Sequence, residues 1–177
     1  MRRTRTAPLT ASSRVTDASP VGGAARLHIP IHLRWGDLDA FNHVNNTSML
    51  KLLEEARVRA FWKPPVGEPA APTAIVPTGE GTLTLVARQE IEYLHPVPYQ
   101  RAPLDVQMWF GKLGGSSIEV CYEVYSPEGA PQTLYARSSA VIVLADAENG
   151  RPVRMTPEMR QAWEPFVGAP LTFGRRR

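Results

Sequence analysis

The sequence predicts an α+β fold in which one long helix is wrapped by an antiparallel β-sheet. Three observations carry this. A single strand-like segment precedes the one long stretch of helical periodicity, and four segments of alternating or continuous apolar residues come after it. Short Gly- and Pro-containing sequences join the last strand-like segments as hairpins. One helix and one sheet must bury their apolar faces against each other.

Each element follows in order. Leu27, Ile29, Ile31, Leu33 and Trp35 alternate with Arg26, His28, Pro30, His32 and Arg34, the period of a strand with one buried face. Met49, Leu52, Leu53, Ala56, Ala60 and Phe61 recur at helical spacing, with Lys51, Glu54, Glu55, Arg57 and Arg59 expected on the opposite face. Lys63 to Gly81 holds Pro64, Pro65, Pro69, Pro72 and Pro77, which interrupts helix and sheet alike. Such a loop is either a lid beside a functional site or a solvated excursion. In Thr82 to Leu94, the residues Leu83, Leu85, Ala87, Ile91 and Tyr93 are expected on one face. Leu104, Val106, Met108 and Phe110 alternate with Asp105, Gln107 and Trp109, while Ile118, Val120, Tyr122 and Val124 alternate with Cys121 and its neighbours. Leu134 to Ala145 forms the last strand, with Gly114-Gly115 and Pro127-Glu128-Gly129 as turns. Thr156-Pro157-Glu158 opens a short helix, with Thr156 as N-cap and Pro157 at the first helical position.

The 177 residues and 43% hydrophobic content fit one core, with a domain over 26–155 and a short helix and basic tail over 156–177. Residues 1–25 hold few large apolar side chains and are expected to form a disordered basic extension. No apolar run reaches the length of a membrane span. The single cysteine, Cys121, excludes an intrachain disulfide framework and fits a reducing, cytoplasmic setting; it is expected to be structural. The net charge of +3 is located at the ends. Arg2, Arg3, Arg5 and Arg14 against Asp17 give +3, and Arg175, Arg176 and Arg177 give another +3, so the body carries −3. A body of that sign without a basic stripe argues against nucleic acid as a partner.

The richest chemistry lies at the junction Arg34-Trp35-Gly36-Asp37-Leu38-Asp39-Ala40-Phe41-Asn42-His43-Val44-Asn45-Asn46. Two carboxylates, a histidine and three amides stand there, between a strand end and a helix start. Free N–H groups and the positive end of the helix dipole gather at such a start, where they can hold an oxygen that gains negative charge.

Asp37-x-Asp39-x-x-Asn42-His43-Val44-Asn45-Asn46, followed by Leu52-Leu53-Glu54-Glu55-Ala56-Arg57, resembles the hotdog-fold acyl-CoA thioesterases of the 4-hydroxybenzoyl-CoA thioesterase-like group. The resemblance continues through Val86 to Val97 and the Gly114-Gly115-Ser116-Ser117 hairpin, covering about residues 26 to 160. Two positions depart from the family pattern. Asn42 stands where the family has Gly, and Asn tolerates the positive backbone angle a tight turn demands. Met49 stands where the family often has an aromatic residue, which changes the shape of the acyl pocket.

The resemblance implies hydrolysis of an acyl-CoA thioester without a cofactor, in a homodimer or homotetramer whose sites lie at subunit interfaces. Asp39 matches the family's catalytic aspartate, as nucleophile or as the base that activates water. The backbone N–H of Asn46 matches the oxyanion donor, and His43 is a further catalytic candidate that would orient the carboxylate or touch substrate. Val44, Asn45, Met49 and Arg88 are the candidate substrate-binding residues, Arg88 toward the CoA phosphates along with Arg101, Lys112 and Arg137. Asn45 and Asn46 are equally candidates for capping the helix, and Asp37 is the competing carboxylate, more often a turn-former at a strand end. Two other readings use the same residues: a hotdog hydratase or dehydratase pairing Asp39 with His43, and a non-catalytic acyl-CoA-binding module. A metal site on Asp37, Asp39 and His43 lacks a second histidine at ligand spacing.

Overall fold

In the computed structural model, residues 25–76 and 81–174 are described; the expectations for the 1–25 extension and the three terminal arginines fall on residues outside that range. Strand β1, Leu27–Ile31, leads through a 3₁₀ turn at Trp35–Asp37 into helix α1, Asn46–Phe61. Strands β2 (Thr82–Tyr93), β3 (Leu104–Leu113), β4 (Ser117–Tyr125) and β5 (Leu134–Asp146) follow, and then helix α2, Pro157–Trp163. The five strands form one antiparallel sheet in the order β1-β3-β4-β5-β2, so β1 and β2 are its edges. The α+β layout with one long helix on an antiparallel sheet is the one the sequence patterns predict.

Helix α1 forms where it does because Asn45 caps it: its side-chain oxygen accepts from Thr47 N at 2.9 Å and from the Thr47 hydroxyl at 2.8 Å. The helix stops before Pro64 and Pro65, which can neither donate nor follow a helical residue comfortably. Met49, Leu52, Leu53, Ala56, Ala60 and Phe61 are all buried. They face Val106, Met108, Phe110, Ile118, Val120 and Tyr122, each side chain contributing about 1.5–3 kcal/mol if large and fully buried. Phe61 stacks on Phe110 at 5.7 Å, and Trp163 of α2 meets Phe61 edge-on at 5.2 Å, closing that end of the core. Thr156 caps α2 by accepting from Met159 N at 3.1 Å.

Four expectations are corrected. Trp35 is not the last inward position of a strand. Strand pairing ends at Ile31, Arg34 is the last extended residue before the turn, Asp37 Oδ2 accepts from Arg34 N at 2.6 Å, and the resulting tight turn swings the indole outward, 72% exposed against Tyr99. Arg57 does not lie on the solvent face. It is one turn after Leu53 on the inward stripe and only 7% exposed, its guanidinium 3.4 Å from the Tyr122 hydroxyl and 3.5 Å from Glu54. The apolar residues of β2 do not share a face. Val86 pairs with Ile142 but Arg88 pairs with Val141, so Ala87 is an extra residue that reverses the alternation. Leu83 and Leu85 therefore point to the outer side while Ile91 and Tyr93 point to the helix side. Finally, the described part of the proline-dense loop is not a lid over the junction. Thr73 donates to Ala60 O at 2.7 Å and Lys63 N to Val76 O at 2.9 Å, which places it at the C-terminal end of α1. Asp39 lies off the other end, a helix length of about 24 Å away.

The outer face of the sheet is covered in part. Arg26, paired with Glu123 and with Gln107, lies 4.2 Å over the Trp109 ring. From Val167 onward the chain crosses that face as a strap. Gly168 N donates to Phe110 O at 2.9 Å, Trp109 Nε1 donates to Ala169 O at 2.8 Å, and Gly174 N reaches Glu92 Oε1 on β2 at 2.9 Å. The strap passes over Gly111, where an added Cβ would meet Pro170 at 3.0 Å. It also helps seal Cys121, a buried free cysteine whose thiol burial pushes up to about 11. Among the described residues, no helix is long and apolar enough to cross a membrane.

Candidate active site

The junction between β1 and α1 folds into a small hydrogen-bonded turn because its side chains and backbone satisfy one another. Asp37 closes the 3₁₀ turn onto Arg34, and its carbonyl accepts from Asn45 N at 2.8 Å. Asp37 is thus committed as a turn-former. Two residues on, Asp39 N donates to His43 O at 2.8 Å and Asn42 N to Asp39 O at 3.1 Å. Closing this loop requires the left-handed backbone of Asn42, φ 61°, the conformation expected of an Asn in place of Gly.

The carboxylate of Asp39 is fixed by the same loop. Its Oδ1 accepts from Phe41 N at 2.8 Å and His43 N at 3.2 Å. Oδ2 has no hydrogen-bond partner among the described residues, so one oxygen is anchored and the other is available. His43 reaches Asp39 through its backbone N–H; among the described residues no imidazole–carboxylate hydrogen bond joins the two side chains, and the Asp–His dyad of the hydratase reading is not formed.

The loop is pinned to the segment after β2 by Val44 N donating to Val97 O at 2.9 Å and by pairing of His43 with Pro98. That segment is pinned in turn to β5, because Tyr135 O accepts from both Leu94 N at 2.8 Å and His95 N at 3.1 Å. Between them opens a cavity of about 400 Å³. Asp39, His43, Val44, Asn46 and Met49 line it from the loop and helix side, and Tyr93 to Val97, Tyr135 and Ala136 line it from the sheet side. Asn46 is the first residue of α1, and its backbone N–H has no acceptor among the described residues. Asp39 and Asn46, which carry the uncommitted carboxylate oxygen and the unpaired helix-terminal donor, therefore line one cavity.

Most of the residues expected from the sequence meet here. Asn45 does not line the cavity; its side chain is spent capping the helix. Arg88 does not line it either, being exposed on edge strand β2 and paired with Glu90 at 2.7 Å. Arg137 is held by Glu92 at 2.6 Å on the outer face. Sequence reasoning missed Tyr93, His95 and Tyr135. Tyr93 and His95 flank the end of a strand pattern ahead of Pro96, a faint signal of a functional strand terminus, whereas Tyr135 reaches the site through pairing that no local pattern encodes.

A larger hollow, about 650 Å³, lies on the opposite face beside His28, Asp105 and Tyr125. Size does not make it the reactive site. Asp105 is already engaged by His28 Nδ1 at 3.0 Å and Gln107 Nε2 at 2.9 Å, and no helix start opens there. The hydrogen bond to Asp105 raises the His28 pKa above its ordinary 6.5, against the lowering effect of burial.

Known proteins place this geometry in a family. The uncharacterized protein YsmA of Bacillus subtilis is 28% identical over 132 residues, 74% of this chain and 80% of YsmA. A putative thioesterase of Pseudomonas aeruginosa is 28% identical with a TM-score of 0.62, covering 79% of this chain and 98% of that one. A thioesterase of Thermus thermophilus, solved with coenzyme A and zinc, is 27% identical with a TM-score of 0.57, over 82% of this chain and 95% of that one. The family model of the thioesterase-like superfamily matches residues 33–163, from the strand end ahead of Asp39 to the end of α2. The chain belongs to the thioesterase-like superfamily.

Proposed function

We propose that the protein hydrolyses an acyl-CoA thioester to the free acid and CoA. The observation that supports this best is that Asp39, with its free Oδ2, and Asn46, with its unpaired N–H, line one cavity. Hydrolysis needs a nucleophile or base at the carbonyl carbon and a donor at its oxygen. Asp39 either attacks that carbon, giving an anhydride that water then opens, or takes a proton from a water that attacks. Either way water adds across the bond and the CoA thiol leaves. The helix N-terminus holds the oxygen as it becomes negative. Val44 and Met49 form the apolar wall against the acyl group.

The working unit in this reading is a homodimer, or a tetramer built from it. β2 is a 12-residue edge with Leu83, Leu85, Val86 and Tyr93 exposed, a surface that isolated sheets cover or pair. Pairing β2 with a second copy extends the sheet and brings the partner beside Tyr93 and His95, at the mouth of the cavity. The cavity itself has no lysine or arginine among its lining residues, so the CoA phosphates are held outside it, by Arg88 on that edge or by the second copy.

The test is steady-state hydrolysis of a panel of short, long and aromatic acyl-CoAs by purified protein, read by release of free thiol. Turnover of at least one at kcat/KM near 10⁴ M⁻¹s⁻¹ or above is the expected result. Uniform inactivity across the panel would refute the proposal.

A further inference from the structure

We propose that Tyr135 is a substrate-contacting residue that makes this site select acyl groups carrying a hydrogen-bonding oxygen over plain alkanoyl groups. The inference rests on the thioesterase reading and names the substrate class for it.

Tyr135 is only 8% exposed and its ring belongs to the hydrophobic core, yet it lines the same cavity as Asp39 and Asn46. Its hydroxyl hydrogen-bonds to nothing among the described residues. A buried tyrosine hydroxyl ordinarily finds a partner. The buried side-chain atoms sealed away without one are Gln89 Nε2 and Gln100 Nε2, so the Tyr135 hydroxyl is not sealed and opens onto accessible space. The cavity is the space the residue borders. By contrast, the neighbouring Tyr93 hydroxyl is spent on Asn46 O.

The backbone is irregular at this residue. Val124 pairs with Ala136 and Tyr125 with Leu134, which leaves Tyr135 as the extra residue of a bulge. Bulges re-aim one side chain out of the regular alternation and are common beside active sites. The displaced residue is held firmly, since its carbonyl accepts from both Leu94 N and His95 N. The cavity is lined by the apolar Val44, Met49, Val97 and Ala136 as well as by the polar Asp39, His43, Asn46 and His95. A few placed polar groups among apolar walls are how pockets orient ligands.

The energetics separate two classes of acyl group. A plain alkanoyl chain that fills the cavity strips water from the hydroxyl and leaves it unpaired. An acyl group with a hydroxyl or keto oxygen at that depth replaces the water. Sites built to pair a substrate oxygen discriminate strongly against the analogue that lacks it.

The experiment measures kcat/KM of wild type and Tyr135→Phe on matched pairs: butyryl-CoA against 3-hydroxybutyryl-CoA, and hexanoyl-CoA against 3-hydroxy- and 6-hydroxyhexanoyl-CoA. Wild type should prefer the oxygenated member of at least one pair by about 10-fold or more. Tyr135→Phe should erase that preference, bringing kcat/KM on the oxygenated member down to that on the plain one. No preference in wild type, or an equal loss on both members in Tyr135→Phe, overturns the proposal. Binding of the same pairs to Asp39→Asn and to Asp39→Asn with Tyr135→Phe, by calorimetry, separates the two readings. A hydroxyl preference lost in the double variant supports Tyr135 even if wild type turns over nothing, and no difference between the two variants refutes it.

Discussion

The Tyr93 hydroxyl donates to the Asn46 carbonyl at 3.1 Å, joining the last residue of edge strand β2 to the first residue of helix α1. Strand and helix are thereby joined at the residue proposed as the oxyanion donor. Tyr93→Phe should cost about 1 kcal/mol of stability or less, the net worth of one hydrogen bond. Its effect on kcat/KM should be several-fold, because helix placement and not fold is at stake. Thermal melts beside acyl-CoA kinetics check this, and unchanged kinetics would show that the helix start is held without Tyr93.

Asp39→Asn keeps an oxygen where Phe41 N and His43 N donate, so the loop should survive. Its kcat should still fall by about 100-fold or more, the scale for losing a base or nucleophile. Asp37→Ala should do the reverse, costing about 1 kcal/mol of stability through the lost turn contact to Arg34 and far less rate. Equal rate losses from both variants would contradict the assignment.

The edge strand makes an assembly prediction. Light scattering should report a dimer or tetramer at micromolar protein, and Leu85→Glu with Val86→Glu should drive it toward monomer with loss of activity. A fully active monomer would remove the second copy from the site.

His28 and Asp105 give a pH prediction with a definite sign. The hydrogen bond that His28 donates to Asp105 raises the His28 pKa, Glu128 adds to it, and burial and Arg26 oppose it. The folded state thus binds the proton more tightly, and the stabilisation is complete below the unfolded value of 6.5. It is lost as pH rises through the higher folded value. Both side chains are partly exposed, so the effect should stay below about 1 kcal/mol. Melting temperature of wild type relative to Asp105→Asn should therefore be highest below pH 6.5 and decline above it. A flat difference would dissociate the pair from stability.

Much of this was legible in the sequence because periodicity reports which side of an element is buried. Met49, Leu52, Leu53, Ala56, Ala60 and Phe61 needed nothing more, and the Asp39 loop was marked by its own polar density. Periodicity fails where one extra residue shifts the count. Ala87 reversed the face of half of β2 through pairing with a strand far away in sequence, and Tyr135 became the extra residue of a bulge in the β4–β5 hairpin. Residue type also misled at Arg57, whose charge suggested solvent while its helical position dictated burial. The strap had no periodic pattern at all, since its contacts are made by backbone groups and single side chains.

The strap revises where truncation should be harmless. Removing residues 1–24 and 175–177 should leave melting temperature and kcat nearly unchanged. Ending the chain at Phe166 should instead destabilise by about 2 kcal/mol or more, by uncovering Trp109 and Cys121. It should also make Cys121 react with a thiol reagent at pH 8, while the intact protein should stay unreacted. Equal reactivity in both forms would mean that the strap does not guard the cysteine.

The two ends of the described chain also differ in what can be attached to them. Residue 25 enters at β1 and Gly174 leaves against Glu92 on β2, and these strands are opposite edges of the sheet. A purification handle or a tether to a solid support placed downstream therefore starts beside the edge assigned to the second copy, and it crowds assembly. The same handle placed upstream starts at the far margin and leaves that edge clear.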